Sequence, residues 1–140
     1  MPIEIGVDTN SQKYFGQALD HVQAVVKENK EVQNVYGGLC HKFPILVLTC
    51  GLCQAVAFVE SKAIRDDDRG KAYRLLRRHV AAVLGLTEAT LLSDVRKAAL
   101  TEYMRHTRRI RQAWVYYKRF AVSLLEVPSA AGLSDQKDTL

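Results

Sequence analysis

Proline is nearly missing from this 140-residue chain: there are three, Pro2, Pro44 and Pro128, and two of them sit near the ends. Because proline removes an amide donor and ends or kinks helices, almost the whole chain is free to be helical. Alternating runs of β-branched residues long enough to build a sheet are missing too, which excludes a β-rich fold. No apolar run is long enough for a bilayer. The longest, Ile45 to Val59, has 15 residues and is interrupted by Thr49, Gly51 and Gln54, against the roughly 18 to 20 that a membrane span needs. This run is expected to be core, and no membrane partner is expected.

Cysteine is sparse and odd in number, with Cys40, Cys50 and Cys53 only. The chain opens without the charged and apolar regions of a secretory leader, so a reducing cytoplasm is the expected compartment. A Walker-type glycine loop, G-x-S-x-G, H-E-x-x-H and a recognisable pair of separated carboxylates are all missing. No enzymatic activity is expected, and no catalytic residue or cofactor is assigned.

Acidic residues are scarce where basic ones are dense. Between Lys62 and Arg119 lie 15 of the 20 lysines and arginines but six of the 15 acids, a net of +9, and each flank carries −2. A basic strip with acidic flanks is the electrostatic footprint of a chain lying along a polyanion. Arginine outnumbers lysine in the strip, and its planar guanidinium grips phosphate oxygens in pairs.

Helical periodicity accounts for most of the sequence. Residues 1–9 read as a loose lead-in. Asn10 or Ser11 can cap a first helix to about Asn29, with Phe15, Ala18, Leu19, Val22, Val25 and Val26 as its apolar stripe. A second helix is expected from about Val32 to Lys42, with Val35, Leu39 and Phe43 on one side. Gly37 and Gly38 each weaken it by about 1 kcal/mol relative to alanine, which suggests close approach of another helix there. Pro44 suits the first turn of a third helix to about Lys62 or Ala63, expected to be the most buried element.

Asp66, Asp67 and Asp68 precede a fourth helix, about Arg69 to Leu84, ended by Gly85. A short helix follows around Ala89 to Leu92. Ser93 can then cap the longest helix, extending to about Glu126. Residues 128–140 read as a small polar tail. The expected fold is all-α: a compact single-domain bundle of residues 10–127, with about five to six helices.

In the long helix, Val95, Ala99, Tyr103, His106, Ile110, Ala113, Tyr117, Ala121 and Leu124 share one arc and form the expected core face. Lys97, Arg105, Arg108, Arg111, Lys118 and Arg119 fall on the other side with almost no acid among them. The fourth helix repeats the pattern, with Ala72, Leu75, Leu76, His79 and Val83 inward and Lys71, Arg74, Arg77 and Arg78 outward. Solvated faces usually mix signs so that i,i+4 pairs form, and these two do not. The candidate phosphate contacts are therefore Arg74, Arg77, Arg78, Lys97, Arg105, Arg108, Arg111 and Lys118, with Lys62 and Arg119 added at the margins. The competing reading is a purely solubilising surface.

Cys50-Gly51-Leu52-Cys53 is a C-x-x-C that could be misread as a redox turn, but no strand–helix–strand succession surrounds it. In one continuous helix the two thiols would sit a turn apart in a core that suits free cysteine. A zinc site from Cys40, His41, Cys50 and Cys53 would need ligands on loops, whereas these fall on expected helices. His21, His79 and His106 lie on or beside apolar stripes and read as core histidines. The Asp66–Asp68 cluster reads as helix capping rather than as a cation site.

Tyr36-Gly37-Gly38-Leu39-Cys40-His41-Lys42-Phe43-Pro44-Ile45-Leu46, Gly51-Leu52-Cys53-Gln54-Ala55-Val56-Ala57-Phe58 and Ser61-Lys62 resemble a known family. So do Tyr103-Met104-Arg105, Thr107 and Trp114-Val115-Tyr116-Tyr117-Lys118-Arg119-Phe120-Ala121. The family is the small helical subunit, the fifth protein, of the type III-B CRISPR effector called the Cmr complex. The resemblance implies a non-catalytic accessory subunit that stacks in several copies along the effector, beside the repeated backbone subunit. It implies other Cmr subunits, further copies of the chain, guide RNA and target RNA as partners. The alternatives are a helical spacer that meets acidic protein neighbours, or a C-x-x-C thiol oxidoreductase.

Overall fold

The computed structural model describes residues 9–129. It contains α1 (Asn10–Val26), α2 (Lys30–Cys50), α3 (Leu52–Ala63), α4 (Asp68–Leu84), α5 (Leu91–Lys97) and α6 (Leu100–Ser123), with no strand among the described residues. The fold is all-α, as the sequence implies. The lead-in at 1–9 and the tail at 128–140 lie outside the described residues, apart from Thr9, Pro128 and Ser129.

Helix ends follow from local hydrogen-bond chemistry. Thr9, rather than Asn10 or Ser11, caps α1: its hydroxyl accepts the Gln12 N–H at 3.1 Å while Gln12 Oε1 accepts the Thr9 N–H at 2.8 Å, a reciprocal capping box. The helix stops at Val26 because Asn29 serves the next one, its Oδ1 accepting the Val32 N–H at 2.9 Å. Asp67 caps α4 by accepting the Gly70 N–H at 2.9 Å, and Gly85 ends it with a φ of 73°, the left-handed conformation glycine adopts without penalty.

Two larger boundaries depart from the sequence reading. Helix α2 runs straight through Pro44, and the break comes at Gly51, at φ 91° and ψ 157°. Proline forfeits one internal amide bond, whereas Gly51 takes angles that residues with side chains rarely adopt. Tyr103 of α6 secures this joint, its hydroxyl accepting the Cys53 N–H at 2.9 Å. The helix expected from Ser93 to Glu126 is two helices, α5 and α6, because Ala98 and Ala99 are extended with ψ of 141° and 159°. Neither alanine is a breaker, so periodicity carried through them unseen. Of the short helix expected at Ala89 to Leu92, Ala89 and Thr90 form a turn and Leu91 and Leu92 begin α5.

The core is centred on α2, α4 and α6. Trp114 and Tyr117 are fully buried, their rings stacked with centroids 4.0 Å apart, and Phe43 of α2 packs 5.5 Å from Trp114. His106, Ile110, Ala113 and Ala121 complete the inner face of α6, and Ala72, Leu75, Leu76, His79 and Val83 are inward on α4. Burying a large apolar side chain contributes about 1.5–3 kcal/mol over leaving it in water.

The Ile45–Val59 run, by contrast, is not the most buried element: Ile45 is 56% exposed and Leu48 71%. At 100° per residue, Leu39, Phe43 and Val47 take the packed side of α2, so positions 45 and 48 fall opposite them. Phe15 and Val26 on α1, and Ala99, are likewise exposed rather than core.

The close approach anticipated at the double glycine occurs at Gly37, but a segment after α6 makes it rather than a helix. A Cβ on Gly37 would lie 2.5 Å from Val127 Cγ2, whereas Gly38 faces open space. Val127 is held by its carbonyl, which accepts from His41 Nε2 at 2.8 Å, in a turn that places Glu126 at a φ of 62°.

Behind these contacts lies a buried polar cluster. His79 Nδ1 and the Tyr36 hydroxyl share a 2.6 Å hydrogen bond, His21 Nδ1 and the Tyr117 hydroxyl share one of 2.7 Å, and the two imidazoles stack with centroids 4.0 Å apart. Burial, with like charge on His21 and Arg78, holds His79 down to about 3, and burial also lowers His21. A base whose pKa falls on folding binds its proton more readily when unfolded. Stability is therefore full above the ordinary histidine value and is lost as pH falls from about 6.5 toward about 3, with each such group adding at most about 1.4 kcal/mol per pH unit. Thermal melts between pH 7 and 4 should show this decline in Tm, and His79→Gln should flatten it even if its Tm at pH 7 is lower. An unchanged pH slope in His79→Gln would contradict the assignment.

Candidate nucleic-acid interface

The buried side of α6 decides what its outer side presents. With Ile110, Ala113, Trp114, Tyr117 and Ala121 inward, residues 108, 111, 118 and 119 are turned to solvent by helical geometry alone. Arg108, Arg111, Lys118 and Arg119 are all exposed, and among the described residues none pairs with a carboxylate. From Arg108 to Lys118 they cover about 15 Å of helix at 1.5 Å per residue. Arg105 lies on the same side but is paired with Glu102 one turn back. Lys97 is exposed on α5, not on α6, because of the break at Ala98 and Ala99.

This face is not purely polar. Met104, Val115 and Val122 are each about half exposed among the cations. Pro44, Ile45 and Leu48 of α2 meet Arg111, Trp114, Val115 and Lys118 around a shallow groove of about 230 Å³. The apolar component was hidden in the sequence because Ile45 and Leu48 sit in a run that reads as core.

Helix α4 does not repeat the unpaired arrangement. Lys71 pairs with Glu28 at 2.8 Å, Arg77 with Glu60 at 2.9 Å and Arg78 with Glu88 at 2.9 Å. Arg74 donates to the Ala63 and Arg65 carbonyls at 2.9 and 2.7 Å, closing the end of α3. The four cations thus have internal partners, three of them acids from distant parts of the chain that no reading of one helix would find. Lys62 stands elsewhere, its Nζ 5.6 Å from the Phe58 ring centre, at the rim of a cavity it shares with Lys42 and Arg69.

The cysteines are arranged differently from the sequence reading. Gly51 separates them, so Cys50 ends α2 and is exposed, Cys53 lies in the first turn of α3 and is half-buried, and all three are free thiols. The buried one is Cys40, whose thiol is pushed up by desolvation beside Tyr36. Among the described residues no group of three or more His, Cys, Asp or Glu could hold a metal, and no helix is long and apolar enough to cross a membrane.

The outer face of α6 is thus exposed, basic and partly apolar. Residues 10–124 match the family described as CRISPR-associated protein, Cas_Cmr5. The CRISPR system Cmr subunit Cmr5 of Thermus thermophilus is 37% identical over 120 residues, covering 84% of this chain and 97% of that protein. The crystal structure of a CRISPR-associated Cmr5 family protein from Thermus thermophilus superposes with a TM-score of 0.72 at 34% identity, over 84% of this chain and 98% of the other. The chain belongs to the Cmr5 family.

The contrast between α4 and α6 has a direct test. Arg74→Ala should lower stability by about 1–3 kcal/mol, the worth of charged hydrogen bonds to two carbonyls. Lys118→Ala, with no partner to lose, should stay within about 0.5 kcal/mol. Urea unfolding of both variants measures this, and equal losses would contradict the division.

Proposed function

We propose that this chain is a non-catalytic accessory subunit of a CRISPR RNA-guided Cmr effector, and that the outer face of α6 braces the guide–target RNA by contacting phosphates. The carrying observation is the unpaired set Arg108, Arg111, Lys118 and Arg119 on one exposed helix face. Lys97 on α5 and Arg105, which would have to leave Glu102, are further candidates. Arg74, Arg77 and Arg78 would each have to exchange an internal partner for a phosphate, so they rank behind α6, and Lys62 belongs to a separate surface. Such contacts position a nucleic acid without reading its sequence. Neighbouring copies of the chain would stack beside the repeated backbone subunit in the cytoplasm, and target cleavage would fall to other subunits.

The exposed Met104, Val115 and Val122 favour a second reading, in which the same face meets a protein neighbour and the chain acts as a spacer. The two differ in their response to charge. Replacing Arg108, Arg111 and Lys118 by glutamate in an assembled effector should weaken target-RNA binding and reduce its salt slope by roughly 2 to 3 units, at about 0.7–0.9 per lost phosphate contact. Binding measured across a salt series that keeps its affinity and slope would favour the spacer.

A further inference from the structure

A further concavity among the described residues opens on the α3–α4 side of α2, sharing Ile45 with the groove beside α6. It is a cavity of about 440 Å³ between α2, α3 and α4, walled by Leu39, Phe43, Leu46, Phe58, Val59 and Leu76. It continues into a second cavity of about 210 Å³ that reaches Asn34, Val35 and Gly38 and shares Leu39, Lys42, Arg69 and Tyr73 with the first. Along α2 the combined groove runs from Asn34 to Thr49, about 22 Å at 1.5 Å per residue, the length of about four turns of helix. Its floor is open at Gly38, where nothing lies within 4 Å of an added Cβ.

Three cations stand on the rim, Lys42 from α2, Lys62 from α3 and Arg69 from α4. Among the described residues none of them pairs with a carboxylate. Lys62 lies over the exposed Phe58 ring in place of an acid. An apolar trough edged by unpaired positive charge from three different helices is complementary to a segment that carries apolar anchors and carboxylates together.

The lining also separates nucleic acid from protein as the occupant. Besides the rim cations, the polar residues lining the combined groove are Asn34, Thr49 and Tyr73, and the Thr49 hydroxyl already donates to the Ile45 carbonyl at 2.9 Å. A nucleobase would bring several polar edge atoms against an aliphatic wall with few partners, and each unpaired group carries its full desolvation cost. A leucine, methionine or phenylalanine side chain carries none. We propose that the α2–α3–α4 groove docks an acidic amphipathic segment of a neighbouring protein subunit, apolar side chains in the trough and carboxylates on Lys42, Lys62 and Arg69. This rests on the proposed place of the chain in a multi-subunit effector, not on RNA binding by α6.

The test uses the reconstituted effector and measures how much of this subunit is retained through size exclusion at rising salt. The triple change Lys42→Glu, Lys62→Glu and Arg69→Glu should reduce retention at least tenfold while circular dichroism and Tm stay near wild type. Gly38→Leu fills the trough from an open position on a helix, adds helix propensity, and should reduce retention with no change of charge. The α6 triple glutamate variant should be retained normally. A photo-crosslinker at Thr49 should label a carboxylate-bearing protein segment. Normal retention of both groove variants, or labelling of RNA at Thr49, would overturn the proposal. Failure of the wild-type chain to incorporate would instead overturn its place in the effector.

Discussion

The stack of Trp114 on Tyr117 is the contact on which the rest of the molecule turns. It lies at the crossing of α2 and α6, with Phe43 against the indole and the Tyr117 hydroxyl tied to His21 of α1. Once these two rings are inside, the rotation of α6 about its axis is fixed, and with it the side on which Arg108, Arg111 and Lys118 emerge. The same rotation carries Tyr103 to the α2–α3 joint, where its hydroxyl satisfies an amide that Gly51, having no side chain, leaves uncapped. Core and surface are therefore one constraint seen from two sides.

Charge is sorted by the fold rather than by the sequence. The basic strip from Lys62 to Arg119 divides into cations that hold the bundle together and cations that face outward. Glu28, Glu60 and Glu88 pair from elsewhere in the chain with three of the five basic residues of α4, which eases repulsion along the helix. Among the cations left without a carboxylate, two groups stand out, one on the outer side of α6 and one on the rim of the α2–α3–α4 groove. A polyanion suits the first and an acidic apolar segment the second, so one small subunit presents two chemically different surfaces.

The fold was largely legible because its signals are local. Proline scarcity, Asn29, Asp67 and Gly85 mark helix ends by chemistry that acts over three or four residues, and the apolar arc of α6 places His106, Ile110, Ala113, Tyr117 and Ala121 inside by period alone. The misplaced boundaries have non-local causes. Pro44 is tolerated because α2 is packed along Leu39, Phe43 and Val47 on both sides of it, and the break at Ala98 and Ala99, with no breaker residue, falls where the chain passes from α5, packed on α3, to α6, packed on α1 and α2. At the candidate site the α6 cations could be read from one helix. The partners of Arg74, Arg77 and Arg78 could not, nor could the gathering of Lys42 and Arg69 beside Lys62, because those neighbours are brought together only by tertiary folding.

The most direct test of the functional reading is the affinity of a reconstituted effector for target RNA with and without this subunit, with incorporation verified by co-purification. A subunit that braces RNA should give a clear gain in affinity that shrinks as salt is raised. Full incorporation with the same affinity at every salt concentration would contradict it.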